Sequence, residues 1–132
     1  MGIETRLALL TLLAFEVKHL LCDFILQSKY QVINKGFYGH PGGLLHAGIH
    51  CLLTIPVLLI LTQSPAIIAA VVICEFLVHY HVDWIKARTE RLRKWTASDH
   101  IYWTAFGTDQ FVHQVTYIVI VAIVLRLSHT LP

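Results

Sequence analysis

Charge is what this sequence lacks. Only 14% of its 132 residues are Asp, Glu, Lys or Arg, against about 25% in a soluble domain, which excludes water as the main solvent. Ten Lys and Arg stand against eight Asp and Glu, a formal charge of +2, so the clustered basic surface of a nucleic-acid binder is missing and nucleic acid is excluded as a partner. Cysteine is scarce too. Cys22, Cys51 and Cys74 lie in apolar stretches and form no CxxC pair, so they read as reduced core residues rather than a thiolate site. The first apolar stretch has no small-residue cleavage site and is broken by Glu16, Lys18, His19 and Asp23, so it should stay in the mature protein rather than leave as a signal peptide. Barrel-like alternation is absent as well, which leaves helix as the way to satisfy a backbone in lipid.

What is present is apolar length. With 56% hydrophobic residues, four segments approach the roughly 20 helical residues that cross a hydrocarbon layer of about 30 Å: residues 7–27, 44–62, 66–85 and 109–127. Two of them are apolar around the whole circumference, which argues against a soluble bundle. The fold class is therefore all-α, a bundle of four transmembrane helices forming a single integral membrane domain over residues 1–132. Asn34-Lys35-Gly36 and His40-Pro41-Gly42-Gly43 break the first loop, and Gln63-Ser64-Pro65 makes a tight second turn. Residues 87–94 can carry the third helix beyond the membrane, and Trp95, Tyr102 and Trp103 suit an interfacial belt. Lys29 and Lys35 lie in the first loop and Lys86, Arg88, Arg91, Arg93 and Lys94 in the third. The positive-inside rule then makes loops 28–43 and 86–108 cytoplasmic and puts both termini outside.

Ionisable residues interrupt these segments in register. Glu16, His19, Asp23 and Gln27 follow one another at three, four and four residues, and Glu75, His79, Asp83 and Lys86 at four, four and three, so each set forms a stripe on one helix face. His46 and His50 open the second segment one turn apart, and Asp109 and His113 open the fourth. The His19/Asp23 pair recurs as His79/Asp83 at an offset of 60 residues, and His46/His50 as Asp109/His113 at 63. These offsets point to a duplicated two-helix hairpin, its copies related by a pseudo-two-fold axis along the membrane normal.

Each ionisable group in a spanning helix costs roughly 2.5–3.5 kcal/mol at the centre and is a functional candidate by default. A shared divalent metal compensates many at once. The expected ligands are His19, Asp23, His46, His50, His79, Asp83, Asp109 and His113, in a mono- or dinuclear site for zinc first, with manganese or iron as alternatives. Glu16 or Glu75 would serve as general base, Gln27 and Gln110 would orient ligands or substrate, and Lys86 would hold an anionic substrate if it does not simply snorkel. Lys18, off the stripe, should pair with a carboxylate of a neighbouring helix, while His40, His81, His100 and His129 are not expected to be ligands.

The run from His19 through Asp23 to Gln27, with His46/His50, His79/Asp83/Lys86 and Asp109-Gln110/His113, resembles a bacterial inner-membrane family known as domain of unknown function 3307. The resemblance covers nearly the whole chain and implies a compact multi-span protein of the bacterial inner membrane, but no particular activity. The residues themselves point to a metal-dependent membrane hydrolase. A proton or metal-ion transporter and a non-catalytic assembly module are the alternatives. Membrane lipids are the surroundings, the basic loops suit a phosphate-bearing lipid or nucleotide, and four short helices enclose so little volume that a homodimer is a natural alternative to a monomer.

Overall fold

The computed structural model describes residues 2–130 and their side chains through Ser128; the expectation about His129 falls outside these side chains. The described residues form five helices and no strand. They are α1 (Ile3–Leu20), continued by a π-helical turn over Leu21–Ile25, then α2 (Lys29–Asn34), α3 (Pro41–Leu58), α4 (Pro65–Arg93) and α5 (His100–Thr130). Among the described residues, α3, α4 and α5 are long and apolar enough to cross a membrane. The first helix falls short on charge, since Glu4, Arg6, Glu16 and Lys18 all lie within it. Large apolar side chains such as Leu52, Ile73, Leu77, Phe111 and Ile118 point outward, a surface suited to lipid rather than water.

The four long helices close into a ring in which α1 packs on α3, α3 on α4, α4 on α5 and α5 back on α1. Away from the loop that follows α1, the interior is apolar: Phe15, Leu58, Tyr117 and Val124 are fully enclosed, and Phe15 stacks on Tyr117 with centroids 4.7 Å apart. Toward the loop the interior turns polar. The three cysteines are free thiols, Cys22 and Cys51 buried as expected and Cys74 exposed.

Helix ends depart from the sequence expectation for identifiable reasons. The segment expected over 44–62 begins instead at Pro41, because Pro at the first helical position gives up only an N–H that would be unpaired anyway, and His40 caps the turn by accepting from the Gly42 N–H at 3.1 Å. The expected break at Pro41-Gly42-Gly43 is thus a helix start. The third helix does run on, as far as Arg93, and ends on Lys94 in the left-handed region at φ 57°. The fourth starts nine residues before the expected Asp109, since hydropathy cannot mark a helical turn that lies outside the apolar stretch. Most of loop 86–108 is therefore helical.

Loop 28–43 also holds an unforeseen helix, α2. Ser28 and Gln31 form a reciprocal capping box at its start, and α2 packs on α3. Gly42 makes that contact close: a Cβ there would sit 2.8 Å from the Asn34 Cβ and 3.1 Å from the Tyr30 carbonyl oxygen. Gly42→Ala is accordingly expected to loosen α2 and to cost about 1–3 kcal/mol, the usual range for overpacking. Thermal unfolding in detergent, with proteolysis in residues 28–40 as a second readout, tests this; an unchanged melting curve would contradict the tight seat.

Candidate metal centre

All four long helices send ligand-type side chains into the polar half of the ring. His19 comes from the last turn of α1. Asp23 follows within the π turn, whose Leu26 N–H reaches back five residues to the Leu21 carbonyl at 2.8 Å. The four-residue step from His19 keeps Asp23 beside it on the inner face. His46 and His50 rise one above the other near the start of α3, His79 and Asp83 project from the middle of α4, and Asp109 and His113 from the first half of α5.

Asp23 and Asp83 are the hubs. Oδ1 of Asp23 lies 2.8 Å from His50 Nε2 and 3.3 Å from His46 Nε2, while its Oδ2 lies 3.2 Å from His19 Nε2. Oδ2 of Asp83 lies 3.0 Å from His46 Nε2 and 3.7 Å from His79 Nε2, and its Oδ1 lies 3.2 Å from His113 Nε2. His79 sits between two imidazoles, with centroids 3.8 Å from His50 and 4.2 Å from His113. Two sets of ligand atoms, each within 4.8 Å of one another, could hold a metal ion: Asp23/His46/His50/His79 and His79/Asp83/His113. They share His79. Mixed imidazole and carboxylate donors at this spacing suit zinc, manganese or iron.

The ring of His79 is the most telling feature. It is 1% exposed, yet neither of its nitrogens has a hydrogen-bond partner among the described residues. His50 Nδ1 is buried and unpartnered in the same way, and Asp109 Oδ1 faces only the His113 ring, 3.5 Å away. A buried polar group without a partner costs about 1–3 kcal/mol, and these neighbouring atoms could serve a metal ion that accepts their lone pairs.

A family profile described as "Protein of unknown function (DUF3307)" matches residues 9–131. The chain belongs to the DUF3307 family. No curated protein and no solved structure matches it. Every cluster residue in this DUF3307 chain falls inside the matched span.

Six of the eight expected ligands fall within the two ligand sets. The other two lie beside them: His19 engages Tyr117 Oη and Gln110 Oε1, each at 2.9 Å, and Asp109 lies 3.5 Å from His113. Gln110 donates to Asp23 and to Asp109 at 3.3 Å each, and Gln27 reaches the His46 ring at 3.3 Å. Glu16 is exposed on the outside of α1, away from the cluster. Glu75 is buried one turn below it and paired with Lys18 at 2.5 Å; the carboxylate expected for that lysine thus comes from the helix across the ring, not from a neighbouring one. Lys86 turns to Glu90 at 3.3 Å and to the Tyr102 and Phe106 rings. His81 bonds to the Leu77 carbonyl and to Tyr38, His40 caps α3, and His100 is exposed at the start of α5.

Two participants were not read from the sequence. Lys35, just past α2, is buried and donates to Asp83 Oδ2 at 3.2 Å. Burial works against its charge, but Asp83, Asp23 and Asp109 outweigh that and hold its pKa above the ordinary lysine value. In sequence it looks like any loop lysine. Tyr117, by contrast, follows His113 by four residues, so extending the Asp109/His113 stripe one turn further would have found it.

Proposed function

We propose that this protein is an integral membrane metalloprotein, with four crossings built from two repeated hairpins, and that its His/Asp centre performs metal-dependent hydrolysis at the cytoplasmic side of a bacterial inner membrane. The observation that carries the metal is the enclosed, unpartnered imidazole of His79, shared by two sets of ligands. In support of the repeat, the His50–Asp23 contact of the first hairpin has its counterpart in His113–Asp83 of the second. In support of a fourth crossing, α1 takes its place in the ring between α3 and α5 and presents Leu9, Leu10, Leu13 and Val17 outward.

When bound, a divalent ion supplies Lewis acidity toward a carbonyl or phosphoryl oxygen and makes water a better nucleophile near neutral pH. The chain's own groups complete the machinery. Gln110 and Gln27 hold Asp23, Asp109 and the His46 ring in place. Asp109 brings its Oδ1 to the level of the cluster, 3.5 Å from His113 Nε2, which suits a proton acceptor better than Glu16 on the outside or Glu75 beneath.

Transport is the weaker reading, because beyond the Lys18–Glu75 pair the axis is filled mainly by Phe15, Leu58, Tyr117 and Val124, and the buried Thr11 hydroxyl there is spent on the Leu7 carbonyl. Elemental analysis of purified protein is the test. Stoichiometric metal is expected in the wild type and its loss in a His50→Ala/Asp83→Ala double variant, while liposomes should show no zinc or proton flux. Metal-free wild type, or steady flux, would sink this reading.

A further inference from the structure

The charged side chains sealed inside the bundle do not balance one another. Asp23, Asp83 and Asp109 bring three carboxylates to the cluster and Glu75 a fourth beneath it, while among the described residues Lys18 and Lys35 are the ammonium groups enclosed with them. Lys86 and Glu90 lie nearer the surface and cancel each other. The remaining negative charge falls to the imidazoles packed on Asp23 and Asp83 and to whatever cation the centre takes.

From the overlap of the two ligand sets and the place of Lys35 we propose that the centre takes a single divalent ion, and that Lys35 stands in for the second cation at the His79/Asp83/His113 set. This rests on the metal reading given above and sets its number. The two sets overlap at His79, so they cannot both be satisfied without sharing that ring. The Lys35 ammonium already occupies Asp83 Oδ2 at 3.2 Å. The first set, Asp23/His46/His50/His79, keeps four donors and is the seat of the ion.

The lysine is delivered there by close contacts. A Cβ on Gly43 would lie 3.3 Å from the Lys35 Cα, and one on Gly36 would lie 3.1 Å from the carbonyl carbon of Ala87. Both glycines therefore let the end of α2 press against α3 and α4. Lys35 is a positioning residue on this account: it holds Asp83 and denies the neighbouring seat to a second ion.

The experiment saturates full-length protein in detergent with zinc, removes unbound metal and counts zinc per chain. Wild type is expected to hold about one. Lys35→Glu adds two negative charges to the interior and should raise the count to about two, whereas Lys35→Arg keeps the charge and should stay at one. Two zinc ions in wild type, an unchanged count in Lys35→Glu, or a rise in Lys35→Arg would each overturn the proposal. A wild type that takes up no zinc overturns the metal reading itself, which separates the two failures. Should Lys35→Glu not fold, wild type loaded with manganese decides by paramagnetic resonance: an isolated-ion spectrum is expected, and an exchange-coupled pair would refute the single seat.

Discussion

Lys18→Met is expected to destabilise the protein by about 3–5 kcal/mol, the range for breaking one half of a buried ion pair. The loss does not come from a missing attraction alone. Lys18 and Glu75 lie on α1 and α4, opposite corners of the helix ring, and meet at 2.5 Å in an interior where each is almost wholly enclosed. The same ammonium donates to Thr54 Oγ1 at 2.9 Å and lies over the Tyr117 ring, 4.7 Å from its centroid. Without it, Glu75 is a sealed carboxylate with no counter-charge. Lys18→Met combined with Glu75→Leu should recover most of the loss, because an apolar pair of similar volume often replaces a buried ion pair at little cost. Unfolding in detergent, read for both single variants and the double, measures this; a Lys18→Met protein as stable as wild type would contradict the buried pair.

His79→Leu should reverse its effect with the metal content of the solution. In chelator, the wild-type ring keeps two unpartnered nitrogens, each costing about 1–3 kcal/mol, so the leucine variant is expected to be at least as stable as wild type. With zinc at a thousandfold excess over its dissociation constant, wild type gains about 4 kcal/mol by mass action. The variant, stripped of the ligand common to both sets, should lose most of that gain. Melting curves with and without zinc settle the matter. Parallel shifts in the two proteins would mean that His79 is packing rather than ligation.

The convergence of six ligand-type side chains was legible in the sequence because helical spacing is a strong geometric constraint: two residues four apart on one segment must share a face. The stripe on the first helix was harder to judge. Glu16, three residues before His19, turns outward, whereas Thr11, Phe15, Lys18 and Cys22 define the buried face together with His19. Asp23 lies beside His19 in a π turn that no propensity in Leu21–Ile25 announces. Lys35 was illegible for another reason. Its role depends on a six-residue helix folding back over the bundle, and a loop lysine outside an apolar segment carries no periodicity to read. The helical turns from Ile85 to Arg93 and from His100 to Thr108 were half visible, since hydropathy follows the bilayer and not the backbone.

Those turns give the centre a mechanical handle. No proline or glycine interrupts α4 between Ala66 and Arg93, so the charged tip at Arg88, Arg91 and Arg93 and the ligands His79 and Asp83 sit on one stiff rod. A push on the tip would swing both side chains at once against Asp23, which stands across the ring at the end of the first helix.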